Sequence, residues 1–156
     1  SWGRSDPYFA RCFDCRLPLL DRVGAEAYFA ATSLLVYPPE WISRNFERVC
    51  SIEAASAAAL ARPDILKARI AAICAFDATQ EHARIQAPTL IVSARDDMTT
   101  APFFAEHMHA SIRGSRLHMV DWGAHLFPLV AKDVFAPILK DWLAEQSAQR
   151  VQSAKK

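Results

Sequence analysis

Glycine is scarce in this sequence: the 156 residues hold four, Gly3, Gly24, Gly114 and Gly123. No serine lies between two of them at the spacing of G-x-S-x-G, so the tight strand-to-helix turn that exposes a nucleophilic serine is excluded from these residues. An excess of charge of one sign is also lacking, since 18 Lys plus Arg face 17 Asp plus Glu. That balance gives no electrostatic reason to expect a nucleic acid or an anionic membrane as partner. Apolar runs are too short to span a bilayer. The opening SWGRSDP lacks the basic stretch and apolar stretch of a secretory leader. These absences predict a cytoplasmic protein. The chain opens with Ser rather than Met, which fits either a start inside a longer reading frame or a trimmed tag.

Metal-ligand patterns are equally thin. Cys12 and Cys15 form a C-x-x-C, but no second ligand pair follows, and Cys50 and Cys74 sit in apolar helical segments. The four cysteines therefore read as buried thiols, with no metal and no organic cofactor expected. His82, His107, His109 and His118 have no second ligand at metal spacing and read as surface or packing residues.

What is present divides into two parts. Residues 7–85 read as helix almost throughout. Asp6 before Pro7 is a cap-then-proline start, and Tyr8, Phe9, Cys12, Phe13, Cys15 and Leu19 recur at helical spacing. Gly24 breaks that element, AEAYFAATSLLVY makes the next, and Pro38-Pro39 ends it and opens a third through Trp41, Ile42, Phe46 and Val49. The alanine-rich run from Glu53 to Ala61 and the segment DILKARIAAICAFD add further helices. From residue 86 the character changes. Leu90, Ile91 and Val92 form a short apolar β-branched run, the mark of a strand buried on both faces. A helix over 102–112, a strand from Arg116 to Val120 and an amphipathic helix from about Leu129 to Gln146 complete the order, with a flexible tail over 147–156.

Strand–helix–strand implies parallel strands joined by a right-handed crossover. Two buried parallel strands do not make a stable sheet by themselves. The fold class is therefore α/β with an incomplete sheet, to be completed by a missing N-terminal half or by a second copy in a homodimer.

The chemistry-bearing residues lie at the strand ends. Asp96 follows the first strand and His125 follows the second, which directs both towards the crevice where parallel sheets bind ligands. Such a pair suits a relay in which Asp fixes the tautomer of His while His moves a proton. The plainer alternative makes Asp96 a helix cap for the helix that follows and His125 a hydrogen-bonded loop residue.

PTLIVSARDDMTTAP followed by WGAHLFP resembles the C-terminal third of an α/β-hydrolase, whose triad runs Ser, acid, His along the chain. The family's acid follows a small residue by three positions and precedes an apolar residue by two. That places it at Asp96, three after Ser93 and two before Met98, with Asp97 as the alternative. The family's histidine sits in G-x-H, matched by Gly123-Ala124-His125. Residues 7–80 then resemble the family's cap. SWGRSDPYFARCF and LLVYPPEW, taken with the acid and histidine segments, are similar to the pyrimidine-utilisation protein D group of proposed aminoacrylate hydrolases, with 3-oxoadipate enol-lactonases as relatives. The likeness covers roughly residues 1–145.

The resemblance implies a linker over 1–6, a helical cap over 7–85 and the C-terminal part of a hydrolase core over 86–146. Asp96 would orient His125, and His125 would act as general base and then general acid. The serine and the oxyanion hole would come from sequence outside this chain, leaving the chain alone inactive. Ser1-Trp2-Gly3 imitates half of a nucleophile turn, but cap-like helices follow it directly, so Ser1 is not assigned that role. Trp2, Tyr37, Trp41, Met98, Leu126 and Phe127 are the candidate pocket-lining residues. The implied substrate is a small polar metabolite, an aminoacrylate-like enamine from pyrimidine degradation, with an enol-lactone or carboxylic ester as alternative. Readings of another class are a non-catalytic ligand-binding protein of this fold or a helical interaction module.

Overall fold

A computed structural model describes residues 2–153; Ser1 and residues 154–156, the end of the expected tail, lie outside the described residues. Helix α1 (Pro7–Asp14) starts as its sequence dictates: the Asp6 carboxylate accepts the Phe9 N–H at 2.8 Å, and Pro7 occupies the first turn. The single helix expected through Leu19 is instead two. Pro18 has no N–H to continue the ladder of α1, so it opens α2 (Leu17–Arg22). Helix α3 (Ala25–Val36) runs up to the double proline. Beyond it, the expected third helix is divided at Asn45 into α4 (Pro39–Arg44) and α5 (Phe46–Ala59). Helices α6 (Pro63–Ala75) and α7 (Thr79–His82) complete the helical part.

The helices share a core of Leu20, Tyr28 and Ile70, with Phe13, Leu17, Phe29 and Leu66 packed around it. Arg16 is buried beside this core. Its guanidinium is accommodated there because it donates to the Cys12 carbonyl at 2.6 Å and to the Thr32 hydroxyl at 2.7 Å, and lies over the Phe13 and Tyr28 rings. These contacts tie α1 and α2 to α3.

The α/β part follows in the expected order: β1 (Leu90–Ala94), α8 (Pro102–Ser111), β2 (Arg116–Val120), α9 (Phe127–Val130) and α10 (Lys132–Ser153). The two strands are parallel, with Leu90 opposite Arg116 and Ala94 opposite Val120. Period-two alternation sends Ile91 to the face covered by Ala105 and Ile112, while Ala94 and Val92 face Phe127, Phe135 and Ile138. The sheet is thus a filled layer between α8 and α9–α10, and among the described residues β1 has a strand neighbour on one side alone.

The two parts meet through aromatic rings. Phe9 of α1 is 1% exposed and packs on Trp2, Phe13 and Phe104 with centroids 5.1, 5.2 and 5.8 Å away. Burying such a ring is worth about 1.5–3 kcal/mol, enough to fix α1 against α8. The opening residues are anchored too: the Ala78 N–H donates to the Gly3 carbonyl at 2.8 Å, and Arg4 bridges to Asp77. A Cβ at Gly3 would lie 2.2 Å from the ring of His82, so a larger residue there would have to displace that ring.

Two expectations need correction. Residues 147–153 are not a loose tail but the last turns of α10, built from good helix formers such as Ala148, Gln149 and Arg150, with Glu145 just before them held by Arg116 at 2.7 Å. The cysteines are all free, and of them Cys12 is buried whereas Cys15, at the cap after α1, and Cys50 are exposed. Among the described residues no helix is long and apolar enough to cross a membrane.

Candidate active site

Asp97 follows β1 and turns back on its own chain. The Thr99 and Thr100 N–H groups donate to its Oδ1 at 2.8 and 2.9 Å, while the Thr100 hydroxyl donates to Oδ2 at 2.8 Å. An aspartate followed two and three residues later by threonines, ahead of a proline-started helix, folds locally in this way because its short carboxylate reaches those donors. The same Oδ2 lies 3.0 Å from His125 Nδ1. The carboxylate can only accept, so Nδ1 carries a proton, which in the neutral ring leaves the lone pair on Nε2. Thr100 Oγ1 is 3.4 Å from the same Nδ1.

The acid partner of His125 is therefore Asp97, and the assignment of Asp96 to that place is corrected. Asp96 does different work. Its Oδ1 accepts the Ala124 N–H at 2.8 Å and its Oδ2 accepts the Gly123 N–H at 3.1 Å. Both amides belong to the turn that delivers His125, where Gly123 has φ 129° and Ala124 has φ 52°. A non-glycine residue in the left-handed region costs energy, and two charge-assisted hydrogen bonds offset it. The counting rule misplaced the acid because two small residues, Ser93 and Ala94, are adjacent. Ala94 is fully buried under Phe127 and Val120, and a count of three from it arrives at Asp97.

Asp97 is 5% exposed. Burial by itself would raise its pKa. The hydrogen bond and charge of His125, with the amide and hydroxyl of Thr100, outweigh burial and hold the carboxyl below its ordinary range. Asp97 is thus an anion at neutral pH, a fit partner for an imidazole that becomes imidazolium when it takes a proton.

Beside this pair opens a cavity of about 550 Å³, lined by Ser93, Asp97, Thr100, His125 and Phe127 and extending along Leu90 and Val92. The six candidate lining residues separate here. Phe127 borders the cavity with His125. Trp2 borders a different, apolar hollow with Ile73 and Phe76, because Phe9 and Phe76 draw its ring towards α1 and α6. Tyr37 and Trp41 stack on each other at 4.7 Å. Met98 points outward at 54% exposed, since its carbonyl is drawn inward to Tyr8 and Cys12. Leu126 uses its N–H on the Val36 carbonyl at 3.1 Å. Trp2, Tyr37, Trp41, Met98 and Leu126 are therefore not part of the cavity wall beside His125. Thr99 and Thr100 were missed by the sequence reading, although the D-x-T-T spacing before Pro102 was there to be read as an aspartate turn.

The other histidines stand apart from this site. His82 is buried with Nδ1 at 2.8 Å from the Ser111 hydroxyl, and His109 Nδ1 lies 2.9 Å from that of Ser115. Among the described residues no group of three or more His, Cys, Asp or Glu is placed to hold a metal ion.

Comparison with known proteins agrees with this fold. No protein-family model matches the chain. Proteins called RutD, each named as a proposed carbamate hydrolase, are similar: that of Stutzerimonas stutzeri is 37% identical over 96% of this chain and 56% of its own length. The one from Azorhizobium caulinodans is 35% identical over 92% of this chain and 54% of its own length. The chain thus spans about half the length of the curated relatives it matches. Among solved structures, an α/β hydrolase from a deep-sea metagenome library superposes with TM-score 0.79 at 16% identity, over 92% of this chain and 54% of that one. The enol-lactonase from Burkholderia xenovorans does so with TM-score 0.74 at 20% identity, over 84% and 49%. With a helical part, a parallel strand pair and helices on both faces of it, this chain has part of the α/β-hydrolase fold and is similar to the RutD proteins over about half of their length.

Proposed function

We propose that this chain carries the acid–base half of a hydrolase acting on a small polar metabolite. The observation that carries the reading is the His125 Nδ1 to Asp97 Oδ2 contact of 3.0 Å at the wall of a cavity. In this reading a serine hydroxyl from sequence outside the chain gives its proton to His125 Nε2 and attacks the substrate carbonyl. His125 then returns that proton to the departing nitrogen or oxygen, and a water repeats the cycle to release the acyl group. Asp97 stays ionised and stabilises the imidazolium. The names of the relatives favour a carbamate, and an enol-lactone or simple ester would follow the same acyl steps. The aminoacrylate-like enamine favoured by the sequence resemblance has no acyl group, so there the pair would serve proton transfer alone. The enamine carbon would take a proton to give an iminium that water attacks with loss of ammonia.

The test joins this sequence to the residues that precede it in its genome and offers carbamate, enamine, enol-lactone and ester substrates. Turnover by the longer protein, reduced by about 10³-fold or more in His125→Ala, is the expected result. The 156-residue chain alone is expected to show negligible turnover. Ester hydrolysis by that chain alone, abolished by His125→Ala, would overturn the shared-machine reading.

A further inference from the structure

The YPPEW segment, which the acid–base pair does not use, explains a second feature of the site. A helix leaves its last carbonyls without intrahelical partners. In α3 the usual i+4 donor for Leu35 would be residue 39, but positions 38 and 39 are prolines and have no N–H. Tyr37 is already extended, at φ −113° and ψ 148°, so the helix does not continue past Val36. The Leu35 and Val36 carbonyls are left free to bond elsewhere. Leu35 accepts the Thr99 hydroxyl at 3.2 Å, and Val36 accepts the Leu126 N–H at 3.1 Å. Thr99 is two residues beyond Asp97 and gives its own N–H to Asp97 Oδ1. Leu126 is the residue after His125. One helix end therefore grips both loops of the pair.

We infer that the C-terminal turn of α3, kept open by Pro38 and Pro39, is a positioning device that sets the separation of Asp97 and His125, with Thr99 as its positioning side chain. The strands fix where each loop begins, and the two carbonyls, adjacent on one rigid helix, fix where the loops pass each other. Movement of α3 is thereby transmitted to the hydrogen bond between acid and base. The inference deepens the hydrolase reading and rests on it for its chemical consequence, whereas its geometric content can be measured without any substrate.

The measurement is NMR of the His125 Nδ1–H proton in the 156-residue chain, comparing the parent with Thr99→Val and Thr99→Ser. Thr99→Val keeps the volume and removes the hydroxyl. It is expected to move the resonance upfield and speed its solvent exchange about tenfold, on the scale of one lost hydrogen bond. Thr99→Ser is expected to restore the parent signal. An unchanged His125 signal in folded Thr99→Val overturns the inference, whether or not the melting temperature falls. A measurement free of variants guards against misfolding: the Leu126 amide is expected to be protected as strongly as the last amides of α3, and exchange at the free-loop rate would also overturn it. In an active longer protein, Thr99→Val is expected to lower kcat about tenfold with KM little changed. A shifted resonance without that kinetic loss would leave the geometry standing and count against the hydrolase reading instead.

Discussion

The Asp96 carboxylate holds the backbone N–H of Ala124 at 2.8 Å, one residue before His125. Adjacent aspartates thus divide the labour: Asp96 shapes the loop that presents the imidazole, and Asp97 receives the imidazole itself. Asp96→Ala is expected to cost about 1–3 kcal/mol by leaving two turn amides without their acceptor, read from chemical denaturation. Asp97→Asn is expected to abolish the downfield His125 proton signal while the Gly123–Ala124 turn keeps its amide shifts. Loss of that proton signal in Asp96→Ala with its retention in Asp97→Asn would reverse the assignment.

Acid sensitivity follows from the depressed pKa of Asp97. An unfolded aspartate titrates near ~3.9, and the folded carboxyl titrates lower. The folded state therefore binds fewer protons than the unfolded one in this window. The stability that Asp97 contributes is fully present above the unfolded value and is lost as pH falls from about 4 through the folded value. Denaturation midpoints measured from neutral pH downwards should show this loss, and Asp97→Asn should flatten that part of the profile. Equal slopes in both proteins would remove Asp97 as its source.

Gly123 has two reasons to be glycine. Its φ is 129°, and a Cβ there would sit 2.6 Å from the Phe127 Cβ and 2.8 Å from the Phe127 Cα. Backbone cannot yield as a side-chain tip can, so Gly123→Ala is expected to destabilise the chain by about 2 kcal/mol or more. Ala124→Gly, at φ 52°, should be neutral or stabilising by up to about 1 kcal/mol. Thermal melts of the two single variants decide the matter, and similar melting temperatures would contradict it.

The side of β1 away from β2 is expected to recruit a partner, either the segment that precedes this chain in its parent protein or a second copy. Sedimentation of the chain should show mass rising with concentration, and co-expression with the preceding segment should suppress that rise. A monomer at every concentration would argue against pairing at this edge.

Much of the fold could be read along the chain because it rests on local signals. The run Leu90–Val92 is short, apolar and β-branched, and it became a strand. Asp6-Pro7 and Pro38-Pro39 punctuated helices where expected. The missed breaks, at Pro18 and Asn45, are places where helical periodicity of the apolar residues continues although the backbone ladder does not. Periodicity reports which residues face inward, and not whether each amide has a carbonyl to reach. The same limit misdirected the reading of Trp2, whose ring follows the aromatic cluster at Phe9 and Phe76.

By itself the sequence determined the order of elements, the parallel pairing of two strands and the delivery of an aspartate and a histidine to their carboxyl ends, because these depend on residue type and spacing along a few turns. Only the tertiary structure decided between Asp96 and Asp97. Neighbours in sequence on a turn point in different directions, and which one meets His125 depends on the Gly123–Ala124 loop, 27 and 28 residues further on, and on a helix end more than 60 residues earlier. Contacts between segments that distant have no signature in local spacing.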